Sequence, residues 1–161
     1  MARLRLALLG PFQAFLDEAL VTDLASDKVR ALLAYLAVES DRAHSRDALA
    51  ALLWPDAPDA AARANLRNSL SNLRAAIADQ AAEPPFLLID RDSLQFNRAS
   101  DHELDVASFW RASEGVSLPE LEEALALYRG DLLEGLGVRD SPAFEDWLIL
   151  ARERLRERLL R

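Results

Sequence analysis

The apolar residues of this chain change their period once, and that change limits the folds open to it. Leu4, Leu6 and Leu8 alternate with Arg3, Arg5 and Ala7. A period of two puts successive side chains on opposite faces, which suits a half-buried strand. Gly10-Pro11 then signals a turn. Residues 12–16 and 20–22 read as two further short strands, joined through Asp17 and Glu18. From Val29 the spacing is different: Val29, Leu32, Leu33 and Leu36 fall at i, i+3, i+4 and i+7. That is one face of a helix over residues 27–39, with Ser26 as its N-cap. A small antiparallel sheet followed by helices is the expected start of the fold.

Ser45 is placed to cap a second helix whose inner face carries Leu49, Leu52 and Leu53. Trp54-Pro55-Asp56-Ala57-Pro58 stops it, because proline cannot continue a helix. A third helix over residues 59–78 has the stripe Leu66, Leu70, Leu73 and Ile77. Residues 86–90 and 93–96 then read as a hairpin around Arg91-Asp92. After Asn97 the pattern reads as helix only. Asp105 can cap a helix bearing Val106, Phe109 and Trp110. Ser117 and Glu120 have capping-box spacing before a helix with Leu121, Leu125, Tyr128 and Leu132. Gly130, Gly135 and Gly137 punctuate its end. Ser141-Pro142 opens a last helix, with Phe144, Trp147, Leu148, Ala151 and Leu155 inward. That helix meets no stop signal before Arg161, so the chain reads as the N-terminal part of a longer protein.

Composition narrows the function classes. The chain has 161 residues, 51% of them apolar and 29% charged, which favours folding over disorder. It has no cysteine, which excludes a disulfide framework, a thiolate nucleophile and Cys-ligated zinc. Apolar runs such as residues 31–38 fall short of the ~20 residues a membrane span needs. Arg3 and Arg5 before the apolar residues 6–16 mimic a signal peptide, but Gly10-Pro11 and Gln13 interrupt the run and no small-residue cleavage pattern follows. A cytoplasmic protein without a membrane partner is expected. No P-loop or dinucleotide-binding glycine pattern is present. The two histidines, His44 and His102, stand in no nucleophile motif. The expectation is therefore a non-enzyme without cofactor or metal. Asp101, His102, Glu103 and Asp105 read as a solvated linker and N-cap rather than ligands. Trp54, Trp110 and Trp147 read as core anchors, and Glu153, Arg154, Arg156, Glu157 and Arg158 as a solvated helix face.

The informative feature is the polar face of the helix at residues 59–78. Arg63 and Arg67 are one turn apart and Arg74 lies two turns further on, with Asn65, Asn68, Ser71 and Asn72 beside them. One Asp and three Arg make this segment +2 in a chain of net charge −8. Arginine can bind guanine O6 and N7 bidentately, and asparagine can do the same with adenine N6 and N7. Both also hold phosphates, which positions a protein without reading sequence. A Leu-backed helix of this kind followed by a hairpin has the parts of a winged helix. Arg91 would serve the wing. Ser45 and Arg46 would meet the backbone at the start of the second helix, where free N–H groups suit a phosphate. Residues 1–97 nevertheless hold ten basic and thirteen acidic residues, so DNA affinity must come from a local patch.

Two stretches carry a resemblance. Leu52-Leu53-Trp54-Pro55-Asp56 with Ala62-Arg63-Ala64-Asn65-Leu66-Arg67-Asn68-Ser69-Leu70-Ser71-Asn72-Leu73-Arg74 resembles the OmpR/PhoB-type winged helix at the N-terminus of SARP-type bacterial regulators. Leu104-Asp105-Val106 with Phe109, Ala124-Leu125-Ala126-Leu127-Tyr128-Arg129-Gly130-Asp131-Leu132-Leu133, Trp147 and Arg152-Glu153-Arg154-Leu155 resemble the start of the bacterial transcriptional activator domain that follows it. The resemblance implies an α+β winged helix-turn-helix over residues 1–98, an effector fold also used in phosphorelays. An all-α, TPR-like segment follows over residues 99–161, the beginning of a larger domain. It implies a regulator, usually an activator, that binds direct repeats in double-stranded DNA, with RNA polymerase and a second copy as further partners. The wing turn Arg91-Asp92 lacks glycine, and Asn68 and Asn72 stand where these proteins are often more basic. Because the helical part is cut short, its apolar faces should be partly uncovered. The rival reading is an interaction module of the same fold that does not bind DNA specifically, supported by the acidic total and the Asn-rich helix.

Overall fold

The computed structural model describes residues 3–138 and 140–160. Strand β1 (Leu4–Ala7) pairs antiparallel with β2 (Gln13–Leu16), which pairs with β3 (Ala19–Leu20). Asp17 and Glu18 join β2 to β3 with φ of 50° and 68°, the left-handed pair that a two-residue turn requires to follow the strand twist. Helices α1 (Asp27–Val38), α2 (Arg46–Leu53) and α3 (Asp59–Ala76) follow. Ser26 and Ser45 cap the first two, each hydroxyl oxygen accepting a backbone N–H three residues on. A second sheet is made by β4 (His44–Ser45), β5 (Leu87–Ile89) and β6 (Ser93–Phe96), in the order β4-β6-β5.

The segment after Asn97 is not helical throughout. Strand β7 (His102–Leu104) lies parallel to β1 and completes a sheet of order β3-β2-β1-β7. Three residues between charged neighbours show too little alternation to be recognised, and only pairing with β1 makes them a strand. Helices α4 (Asp105–Ser113), α5 (Leu118–Leu127) and α6 (Pro142–Leu159) complete the chain. Asp105 is not the cap of α4. It is the first helical residue, and Leu104 occupies the cap position without a side-chain bond. The Asp105 carboxylate turns back to the end of β1 and accepts the N–H groups of Leu8 and Leu9 at 2.8–2.9 Å. Ser117 does cap α5, but that helix ends at Leu127. Leu132 lies beyond it, bridged by backbone pairing to Leu9 and Gly10. Gly10 has φ +116°, a backbone conformation that favours glycine, and its Cα lies 3.3 Å from where a Cβ on Gly130 would stand, so the two segments cross closely.

One core serves the whole chain. Leu4 and Leu6 from β1 and Leu8 just past its end, Leu32, Leu33 and Leu36 from α1, Leu66 and Leu73 from α3, and Phe109, Phe144 and Leu148 from the last helices are all fully buried in one cluster. Helix α6 packs on the winged-helix half. The buried Ser141 hydroxyl donates to the Leu53 carbonyl at 2.7 Å, at the open C-terminal end of α2. The Trp147 indole donates to Glu39 and its ring meets Tyr35 edge-on at 4.9 Å. Trp54, Trp110 and Trp147 each pack partly buried against the core. On α5 only Ala124 is buried. Leu121 and Leu125, expected inward, are exposed at 40% and 60%, because among the described residues no further element covers that side.

Asp105 yields a stability prediction. Leu8 and Leu9 are buried, and two buried N–H groups lose their acceptor in Asp105→Ala. The expected cost is about 2 kcal/mol in chemical denaturation. Burial raises the Asp105 pKa above the ordinary carboxylate value, against the lowering effect of the backbone N–H groups and of Arg129. The folded chain thus holds this proton more readily than the unfolded chain. The contribution is present in full below the unfolded pKa and is lost as pH rises through the folded one. Relative to Asp105→Asn, the parent chain should lose stability over that window as pH rises. A difference independent of pH would contradict this account.

Candidate nucleic-acid interface

Helix α3 sits with Ala62, Leu66, Leu70 and Leu73 against the core. At about 100° per residue, Arg63, Arg67 and Arg74 fall along one border of that apolar stripe, and Asn65 and Asn72 along the other. Arg67, Asn68 and Ser71 are exposed on the outer side between them. Among the described residues Arg67 has no ion pair. Its guanidinium is solvated and uncommitted.

The remaining sequence-chosen residues are engaged to different degrees. Arg63 lies 4.0 Å from Asp47 on α2, both side chains mostly in solvent, so the pair contributes little. Asn65 is half-buried on the border of α3. Asn72 is committed to the fold: its Oδ1 accepts the Ala25 N–H at 2.9 Å and its Nδ2 donates to the Asp23 carbonyl at 3.0 Å. It ties α3 to the loop before α1, and both ends of its amide are turned to that loop. Ser45 spends its oxygen lone pair on the Ala48 N–H as the α2 cap.

Arg46 and Arg91 belong to the hairpin as much as to the helices. β4 pairs with β6, so the start of α2 is stitched to the β5–β6 hairpin. The Arg46 N–H donates to the Asp92 carbonyl at 2.9 Å, and its guanidinium donates twice to the Asp90 carbonyl at 3.2 and 2.9 Å. Arg46 therefore braces the turn from inside. The turn closes without glycine: the Asp90 N–H donates to the Ser93 carbonyl, and the Arg91 N–H to the Asp90 side chain. Arg91 is left exposed at the tip.

The residue that sequence inspection missed is Asp79, in the short 3-10 turn after α3. It is 2% exposed. Its Oδ1 accepts the Phe86 and Leu87 N–H groups at 2.8 and 3.1 Å, and its Oδ2 lies 3.4 Å from Arg74 Nε. One carboxylate thus joins the end of α3 to the first strand of the hairpin and holds the Arg74 side chain. A lone Asp among Ala and Gln gives no periodic signal. Its partners lie seven and eight residues on, and only the fold brings them together.

Arg46, Arg67, Ser71 and Arg74 consequently share one concave surface of about 570 Å³, between the C-terminal half of α3 and the hairpin. Arg63, Asn65 and Asn72 lie outside it. Asp79→Ala should cost about 2 kcal/mol, because it strands two buried N–H groups. Hydrogen exchange should quicken selectively at Phe86 and Leu87, while the α1 amides keep their protection. Uniform loss of protection across both elements would show that Asp79 supports the whole core and not the hairpin junction.

No family model matches the chain. Among characterised proteins it is similar to the transcriptional regulatory protein EmbR of Mycobacterium bovis and of Mycobacterium tuberculosis, with 36% identity over 86 residues in each case. That match takes in 53% of this chain and 22% of the relative, so it reaches under a quarter of the length of these proteins. Among solved structures it is similar to Mycobacterium tuberculosis EmbR in complex with a low-affinity phosphopeptide. The TM-score is 0.74 at 27% identity, over 98% of this chain and 44% of that one. By sequence over those 86 residues and by fold over nearly its whole length, the chain is similar to a transcriptional regulatory protein.

Proposed function

We propose that the chain is the DNA-binding portion of a transcriptional regulator, with α3 as the helix that enters the major groove and the β5–β6 hairpin as its wing. The observation that carries this reading is the uncommitted outer face of α3. Arg67, Asn68 and Ser71 are exposed together, in a segment of net charge +2 within a chain of net charge −8. Arg67 and Asn68 supply the bidentate donors that suit guanine and adenine edges. Arg63 and Arg74 flank them toward the phosphates, and Arg91 at the hairpin tip reaches an adjacent groove or backbone. Asn72 and Asn65 contribute by holding and bordering the helix.

Residues 1–98 form the DNA-binding unit in this proposal. Residues 99–161 begin a TPR-like activator domain, whose role is to relay contacts with a second copy or with RNA polymerase. Activation from direct repeats is the regulatory mode that the SARP-type resemblance supports. Double-stranded DNA is the proposed partner.

Selection of bound duplexes from a random pool with this chain, at two salt concentrations, tests the reading. Enrichment of a motif, with direct repeats prominent, is expected. Recovery without a motif that vanishes at higher salt would reduce the function to backbone electrostatics, and no recovery would favour the interaction-module alternative. Arg67→Ala should weaken binding to the selected duplex by about tenfold, with a smaller loss on unrelated duplexes. An equal loss on every duplex would reassign Arg67 to a phosphate.

A further inference from the structure

We infer that the concavity between α3 and the hairpin is a binding pocket for a small phosphate monoester with an apolar or planar body, separate from any role of its outer rim in holding DNA. Its charge makes the first argument. Three arginines line it, Arg46, Arg67 and Arg74, and no carboxylate lines it. Among the described residues, Asp79 beside Arg74 is the one carboxylate ion-paired with any of the three. This occurs in a chain of net charge −8.

Pre-organisation makes the second. A guanidinium carries five N–H donors in a rigid fork. Arg46 spends two groups on the Asp90 carbonyl and Arg74 one on Asp79. Each side chain is thereby held in place with donors left over. Ordering costs that a ligand would otherwise meet are largely met by the fold. Arg67 supplies a third, mobile donor group, and Ser71 and Gln80 add neutral ones.

Shape makes the third. The recess has a volume of about 570 Å³, more than a single phosphate group fills. That size lies within the range of small-molecule sites, which run to roughly 300–1,000 Å³. Its lining also carries apolar surface, from Leu70, Ile89 and three alanines, Ala75, Ala78 and Ala81. Guanidinium groups and carbon surface in one lining suit a ligand with a phosphate at one end and an uncharged body at the other. Such a ligand would cover Arg67 and Ser71 and so compete with DNA for the outer face of α3.

The test is a titration of the isotopically labelled 161-residue chain with adenosine 5′-monophosphate, adenosine, inorganic phosphate and a short duplex, each alone and the first also against the duplex. Adenosine 5′-monophosphate should bind saturably and shift the amide resonances of Ser71 and Gln80. Inorganic phosphate should bind the same site more weakly, and adenosine should leave it unshifted. Arg46→Gln and Arg67→Gln should each weaken the monophosphate by about tenfold. Should Arg46→Gln unfold the hairpin, the wild-type shift map and Arg67→Gln still decide the matter. Absence of shifts at Ser71 and Gln80, or variants that bind as the parent does, would overturn the proposal. Duplex binding without monophosphate binding would also overturn it, assigning the arginines to backbone phosphates alone. Monophosphate binding without duplex binding would uphold the pocket and remove the DNA reading instead.

Discussion

The candidate site depends on one buried carboxylate. Asp79 accepts two backbone N–H groups from the start of β5 and meets the Arg74 guanidinium. Its burial, at 2% exposure, would be costly for an unpaired charge; two N–H donors and a cation make it tolerable. Through it, the end of α3 and the first hairpin strand cannot move independently. Arg46 makes the matching connection at the other end, where the start of α2 donates to the Asp90 and Asp92 carbonyls of the hairpin turn. The hairpin is therefore held at its base and at its turn, and Arg67, Ser71 and Arg91 stand on a braced frame.

A second set of contacts joins this frame to the helical segment. β7 adds to the first sheet beside β1, Asp105 accepts the N–H groups where β1 ends, and Ser141 donates to the last carbonyl of α2. Each uses a backbone group that would otherwise be unsatisfied on burial, at the end of a strand or a helix. The Tyr35–Trp147 contact and the Trp147–Glu39 bond add an aromatic seam between α1 and α6. The helix-turn-helix core and the helical segment thus share one interior.

Much of the fold was legible because its elements follow local rules. The α1 stripe of Val29, Leu32, Leu33 and Leu36 is buried as its spacing requires. Ser26, Ser45 and Ser117 cap the helices they precede, and Pro142 opens α6. The illegible parts are those whose partners are remote. β7 is too short to show alternation and exists through β1. Asp105 satisfies strand ends about a hundred residues earlier instead of its own helix. Leu121 and Leu125 look like a core stripe, yet nothing in the described chain covers them. For the candidate site, the sequence marked the right helix but could not rank its polar residues. Asn68 and Asn72 are the same residue type on one polar face. Only the loop at Asp23–Ala25 consumes one and leaves the other in solvent.

The sequence by itself determined the order of the longer elements, the inward face of every helix but α5 and the basic, Asn-rich character of α3. These follow from periodicity, capping chemistry and proline placement, all of which act within a few residues. The tertiary structure alone decided which polar side chains are free and which are spent. It drew Arg46, Arg67 and Arg74 around one recess, turned Asn72 and Asp105 into structural ties, and made Asp79 the junction of helix and hairpin. The reason is that a polar group's role is set by the partners within hydrogen-bond reach, and in this chain those partners come from elements distant in sequence.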